Sequence, residues 1–306
     1  MRVLITGCTG YIGSRLASRT VSRGWETHAM LQPGSDTSRL PTSTKTWVYD
    51  GGIESVLQCV SVAQPDVVIH LAAVGGSDHK PSDIQPLLAV NLLLGTQLLE
   101  AMSIGPCSYF VNAGSHWEYD SEGRYAPNSL YAATKHAFQD LIEFYCRTRG
   151  LKAITLVLYD VYGPSDWRGK LIPLIVRALQ TGERLPATPG GQMIDCVHVD
   201  DVCAGFIHAA HRLINENDTG HAVYAIRTGE PLRLRDVVAV LESAAGCPLN
   251  IGWGELSYRA YQVFQPAESI PVLPGWCPDM TLEAGLRQII SGADMPEERY
   301  AQPSRI

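Results

Sequence analysis

Tyr131 and Lys135, in the run Tyr131-Ala132-Ala133-Thr134-Lys135, are four residues apart. On a helix that spacing stacks them on one face. A free phenol, with a pKa near ~10, handles protons poorly at neutral pH. An ammonium beside it favours the phenolate, so Lys135 is expected to lower the pKa of Tyr131. Ser115 closes the strand-like segment before this helix, where a hydroxyl can hold a substrate oxygen. The chemistry such a trio suits is proton transfer at a carbonyl or hydroxyl oxygen. The spacing also arises by chance on amphipathic helices, so its meaning depends on what surrounds it.

A second constellation supplies that context. Thr6-Gly7-Cys8-Thr9-Gly10-Tyr11-Ile12-Gly13 places three glycines three residues apart between a strand-like and a helix-like segment. Gly7 allows the tight turn, Gly10 lets a pyrophosphate approach the backbone, and Gly13 lets helix and strand pack closely. The helix start offers unpaired N–H groups to phosphates. A dinucleotide site is expected here. At the end of the second strand, where an NAD-preferring site carries Asp or Glu for the ribose hydroxyls, the sequence reads Leu31-Gln32-Pro33-Gly34-Ser35. No carboxylate there repels a 2′-phosphate, and Ser35 and Arg39 lie just beyond as candidate partners. The cofactor expected is NADP(H) rather than NAD(H); a neutral loop facing solvent would leave the choice open.

The elements that must position these groups alternate from the start. Strands are expected over 2–6, 26–31, 66–71, 107–112 and 153–159, and helices over 12–23, 91–102 and 131–149. Such alternation, with near-continuous apolar strands, predicts a Rossmann-type doubly wound parallel sheet covered on both faces. Beyond Pro164 the pattern loosens, with helices expected over 171–180 and 236–245. The expected division is a dinucleotide-binding domain over 1–165, with a return segment near 195–225, and a smaller α/β substrate-binding domain over 166–306.

Composition narrows the partners. The 306 residues are 45% hydrophobic and 18% charged, a globular profile. A formal net charge of -7 argues against nucleic acid or an anionic membrane as the main partner. No apolar run reads as long enough to cross a bilayer, and Met1 leads directly into a strand. The eight cysteines form no Cys-x-x-Cys pair, so no metal or redox motif is expected, and a reducing cytoplasm is.

With these motifs in place, the chain resembles the extended short-chain dehydrogenase/reductases, also known as the NAD-dependent epimerase/dehydratase family. The resemblance covers nearly the whole chain. It rests on the glycine turn Thr6 to Gly13, on His70-Leu71-Ala72-Ala73, on the segment Asn91 to Thr96, on Tyr131 to Lys135, on Tyr162-Gly163-Pro164 and on Val197 to Asp201. It implies cofactor contacts from Thr9, Tyr11 and Ile12 in the turn and from Gln32, Ser35 and Arg39 beyond the second strand. Asp50 with Gly51 would serve the adenine side. Leu71, Ala72, Ala73, Asn91 and Tyr159 complete that set, with Tyr131 and Lys135 at the reacting end. It implies Ser115, Tyr131 and Lys135 as the catalytic trio. Substrate contacts are implied for Gly75, Ser115, His116, Trp117, Asp160, Lys170, Leu171 and Arg259. His116 reads rather more readily as a hydrogen-bonded histidine beside a packed Trp117, and Lys170 and Arg259 read equally as solvated surface charges. The resemblance also implies a homodimer paired through the helices near 91–102 and 131–149.

The same scaffold hosts several reactions, so local departures matter. Dehydratases of this family place Asp-Glu after the active-site Ser/Thr; here Ser115 precedes His116-Trp117. NAD-dependent 4-epimerases carry an acidic residue where Leu31 stands. The segments Asn112 to Trp117, Leu130 to Ala137 and Leu158 to Pro164 are most similar to the CDP-abequose and CDP-paratose synthase group, reductases of 4-keto deoxysugar nucleotides. Many members have Asn at the Asp160 position, Arg at Val157, and Arg at Ile194 as a pyrophosphate clamp. Reduction of the C4 ketone of a 4-keto-6-deoxysugar nucleotide is the expectation. A 4-epimerase is the alternative, a reductase of a non-sugar ketone stands third, and a nucleotide-binding scaffold without catalysis is the non-enzymatic reading.

Overall fold

Val3, Leu4 and Ile5 are all completely buried, although successive strand side chains point to opposite faces. Their strand is therefore covered on both sides, which their unbroken apolar run requires. The computed structural model describes residues 1–216 and 220–292. Its first half runs β1 (Arg2–Thr6), α1 (Tyr11–Ser22), β2 (Glu26–Leu31), β3 (Lys45–Val48), α2 (Ile53–Ala63) and β4 (Val67–His70). A helical stretch comes next, made of α3 (Ile84–Leu88), a π-wound turn (Ala89–Leu94) and α4 (Gly95–Ile104). Then come β5 (Tyr109–Ser115), α5 (Leu130–Arg149) and β6 (Lys152–Leu158). The second half holds β7 (Asp160–Tyr162), α6 (Leu171–Thr181), β8 (Leu185–Ala187), β9 (Met193–Ile194), β10 (Cys196–His198) and α7 (Val199–Asn215). It ends with β11 (His221–Ile226), β12 (Leu232–Arg233), α8 (Leu234–Ala245), β13 (Ile251–Trp253) and α9 (Leu282–Ser291).

Seven strands form the main sheet in the order β11-β6-β5-β4-β1-β2-β3, every neighbouring pair parallel. The chain winds outward from β1 in both directions, so a crevice opens beyond the carboxyl ends of β1 and β4. Val3 and Ile5 pack with α1 and α7 on one face. Leu4 packs with α2, α4 and α5 on the other. The register lines up the strand ends that matter: Thr6 pairs with His70, His70 with Asn112, and Ser115 with Leu158.

Residues of the second half enter two cores. Helix α7 packs on the main sheet and β11 is its edge strand. A further stretch also returns: Ala267, Ile270, Leu273 and Trp276 enter the core shared by α1 and α7. What stands apart is a lobe of α6, α8 and α9, whose core includes Ile175, Val237, Leu241 and Leu286. The expectation of no membrane-length apolar run needs correction. The most apolar 18-residue window of the helical stretch Pro81–Ile104 has a mean hydropathy of 1.6. Half of it is buried, since Leu94, Leu98, Leu99 and Met102 fill the core beneath the sheet.

Candidate active site

The glycine turn is built to let something approach the backbone. Gly7 has φ +73°, and a Cβ there would stand 2.7 Å from the Ala72 nitrogen. A Cβ on Gly13 would stand 2.0 Å from the Gly7 oxygen, so α1 can press onto the turn only as glycine. Gly10 is the α1 N-cap and places no side chain over the helix's first N–H groups. Those groups face a cleft of about 340 Å³ lined by Gly7, Gly10, Tyr11, Ile12 and Gly13. Thr6 fastens the turn to the next strand, with Oγ1 2.8 Å from His70 Nδ1 and accepting from Ala72 N at 3.2 Å. The residues present therefore fit a dinucleotide's pyrophosphate.

The same cleft holds the trio. Ser115, Tyr131 and Lys135 all line it, although they come from the end of β5 and the first turns of α5. Helix α5 starts there because Ser129 caps it, its hydroxyl accepting from Ala132 N at 3.2 Å. Ser115 is held by its own turn: Oγ accepts from Trp117 N at 3.3 Å, and its backbone N–H donates to Glu118 Oε1 at 2.6 Å. Lys135 is 2% exposed. Burial pulls its pKa down to about 8, against the opposing pull of Glu118. The expected lowering of the Tyr131 pKa is not what the structure shows. Burial pushes the phenol above its ordinary value, Glu118 adds to that, and the cation that opposes is Arg168 rather than Lys135. Tyr131 is thus a protonated phenol at neutral pH.

The substrate-side expectations divide. Gly75, His116, Trp117, Asp160, Lys170 and Leu171 line the cleft. His116 lines the cleft and is buried. It stacks on Tyr159 with centroids 5.1 Å apart, and its Nε2 lies 3.5 Å from Asp160 Oδ2. Trp117 stands edge-on to Tyr131, and Lys170 Nζ lies 5.2 Å from the Trp117 ring centre. Arg259 is exposed and is not among the cleft-lining residues. Ile194, where relatives were expected to carry an arginine, belongs to the core of the smaller lobe. The cation that sequence reasoning missed is Arg168. It lines the cleft, lies over the Tyr11 ring at 4.4 Å, and pairs with buried Asp166 at 2.7 Å. The available signal was two cations flanking Gly169 just before a helix.

The cofactor-side expectations divide as well. Leu71, Ala73 and Tyr159 line the cleft; Thr9, Ala72 and Asn91 are not among its lining residues. Asn91 acts from behind. Its Oδ1 accepts from Val74 N, and its Nδ2 donates to Val74 O and Thr134 Oγ1, each at 2.9 Å. It ties the loop after β4 to α5, and the π-wound turn carries it there. At the far end, Gln32, Arg39, Asp50 and Gly51 are exposed and Ser35 is half-buried. Asp36, which follows Ser35 in the sequence, accepts from Ser38 N at 2.9 Å. Asp50 is held below the usual carboxylate range chiefly by the Gly52 N–H. Arg39 lies over Trp167 at 4.0 Å, in a groove it shares with Arg15, Arg19 and Arg23 along α1.

A doubly wound sheet with a glycine cradle at its switch point, and Ser, Tyr and Lys beside that cradle, defines a nicotinamide-dinucleotide-dependent enzyme. The chain belongs to the NAD dependent epimerase/dehydratase family, which it matches over residues 3–225. It is 25% identical to a CDP-abequose synthase of Salmonella muenchen over 95% of this chain and 97% of that one. It is 29% identical to a dTDP-glucose 4,6-dehydratase of Streptomyces antibioticus over 83% and 78%. Among solved structures it is similar to a UDP-glucose 4-epimerase of Thermus thermophilus in complex with NAD. That match has a TM-score of 0.80, 25% identity, and coverage of 95% of this chain and 98% of the other.

Proposed function

We propose that this enzyme reduces the C4 ketone of a 4-keto-6-deoxysugar nucleotide with NADPH. The observation that carries the reading is the pair of residues after Ser115. His116 and Trp117 stand where a dehydratase of this family needs an acid and a base, and both are packed, one on Tyr159 and one on Tyr131. Proton chemistry then falls to the trio. A nicotinamide held by the glycine cradle would supply the hydride for the carbonyl carbon. Ser115 holds the carbonyl oxygen, and Tyr131 delivers its proton to that oxygen. Lys135 is the nearby ammonium that anchors the cofactor ribose and, with the cofactor bound, eases the loss of that proton.

The choice of NADPH rests on Gln32 and Ser35 in place of a carboxylate and on Arg39 at the head of an arginine-lined groove. Lys170 and Arg168 are the cleft cations available to a substrate diphosphate. The similarity to NAD-binding epimerases keeps one alternative, a 4-epimerase with tightly held NAD. Calorimetric titration separates the two: NADPH is expected to bind at least ~10-fold tighter than NADH, about 1.4 kcal/mol. Non-exchanging NAD in the purified protein, with interconversion of UDP-glucose and UDP-galactose without added cofactor, overturns the reading. The protein is expected to act as a homodimer through exposed apolar residues of α3, α5 and the π-wound turn, among them Leu88, Leu93 and Phe144. Light scattering at micromolar concentration tests this. All eight cysteines are free thiols, six of them buried.

A further inference from the structure

Glu118 is completely buried directly behind the trio. It closes the single turn His116–Glu118 at the end of β5. One carboxylate oxygen accepts the Ser115 N–H at 2.6 Å. The other accepts from Gln139 Nε2 and faces His136 Nδ1 at 3.3 Å. The strand makes room for it, since a Cβ on Gly114 would stand 3.2 Å from Glu118 Oε1. A carboxylate taken out of water is costly unless its oxygens are bonded. Here the bonds run to the backbone of one member of the trio and to the helix that carries the other two.

We propose that Glu118 is a positioning residue: it fixes Ser115 through the backbone and, bonded to the helix that carries Tyr131 and Lys135, holds a negative charge behind the trio. The proposal rests on the reading of those three as the proton-transfer site. Its consequence is directional. Reduction starts from the protonated phenol and oxidation from the phenolate, so a negative charge behind the trio favours the form from which reduction starts. The carboxylate favours the proton-bearing form of both Tyr131 and Lys135. His116 and Tyr119, from its own turn, feel the same charge. So does His136 on α5, which stacks on Tyr125 and also senses Asp140. Its pKa is raised, chiefly by its bond to Glu118, so it offsets the carboxylate as pH falls. Across the cleft Arg168 acts on Tyr131, and Asp160, Asp195 and Lys170 act on His116.

The test compares Glu118→Gln, which keeps the acceptor and removes the charge, with Glu118→Asp, which keeps the charge and falls short of the Ser115 N–H. Lysine labelled with ¹³C at Cε reports Lys135 directly, its resonance assigned by loss in Lys135→Met, and needs no turnover. In the Gln variant the Lys135 titration is expected to fall by about half a pH unit or more, and the alkaline limb of the reduction profile with it. In the Asp variant the titration is expected to stay near that of the parent while turnover drops about tenfold through the loosened serine. An unmoved Lys135 titration in the Gln variant, or parental turnover in the Asp variant, overturns the proposal. Should the Gln variant not fold, turnover of the Asp variant decides. If the parent reduces no keto sugar nucleotide, the proposed function falls, and the lysine titration still judges Glu118.

Discussion

Replacing Lys135 with methionine is expected to abolish turnover and stabilise the fold. The ammonium is 2% exposed, and burial pulls its pKa down to about 8. In the unfolded chain the same group titrates near ~10.4. Below pH 8 both states carry the proton, and the folded state bears the full desolvation cost of the charge. At 1.36 kcal/mol per pH unit that gap is about 3 kcal/mol, an upper value because the buried chain also relaxes. Between pH 8 and pH 10 the folded state gives up its proton before the unfolded one. The unfolded state then binds more protons, and stability rises with pH. Methionine fills similar space without a charge, so a gain of about 1–3 kcal/mol is expected at pH 7, shrinking as pH rises through this window. The raised pKa of Tyr131 works the other way only above about pH 10, where an unfolded tyrosine ionises first. Urea unfolding of parent and variant at pH 7, 8, 9 and 9.5 reads this directly. Equal or lower stability of the variant at pH 7, or parallel pH dependences, would refute the argument.

Two further substitutions probe the same cleft. Tyr131→Phe keeps the ring against Trp117 and loses the proton, so turnover is expected to fall ~10²-fold or more with cofactor affinity nearly unchanged. Turnover within a few-fold of the parent in stopped-flow assays removes Tyr131 as the donor. Gly75→Ala places a methyl 3.0 Å from Tyr131 Cβ at a residue with φ +122°. A stability loss of about 1–3 kcal/mol by urea unfolding is expected, with turnover impaired more than cofactor binding. Parental values for both would show that the loop after β4 yields freely.

The sheet was legible because its strands are buried on both faces and read as unbroken apolar runs. The glycine turn was legible because each glycine is required by a backbone contact. The strands' carboxyl ends then converge on one crevice, which brings Ser115 beside Tyr131 and Lys135. What the sequence concealed has physical causes. Strand β3 reads Lys45-Thr46-Trp47-Val48, half polar, because it is an edge strand with little to bury. The stretch from Ala267 to Trp276 has neither helical nor strand periodicity, so nothing in its pattern announced a return to the core. Asn91 looked like a cofactor ligand, yet its amide satisfies the backbone of Val74. Arg168 and Glu118 escaped notice because single charged residues in turns carry no periodic signal. The fold alone brings them to act on Tyr131. For the same reason the phenol's proton affinity came out reversed: spacing revealed Lys135, while desolvation dominates.

Whether hydride enters at C4 from NADPH tests the central claim most directly. The purified enzyme, a 4-keto-6-deoxysugar nucleotide and NADPH deuterated at nicotinamide C4, on each face in turn, should give one product by mass spectrometry and NMR. With one of the two cofactors, the product should carry a single deuterium at sugar C4, matched by stoichiometric consumption of the cofactor. Product without deuterium from either cofactor, or sugar-nucleotide epimerisation that proceeds with no cofactor consumed, would contradict the account.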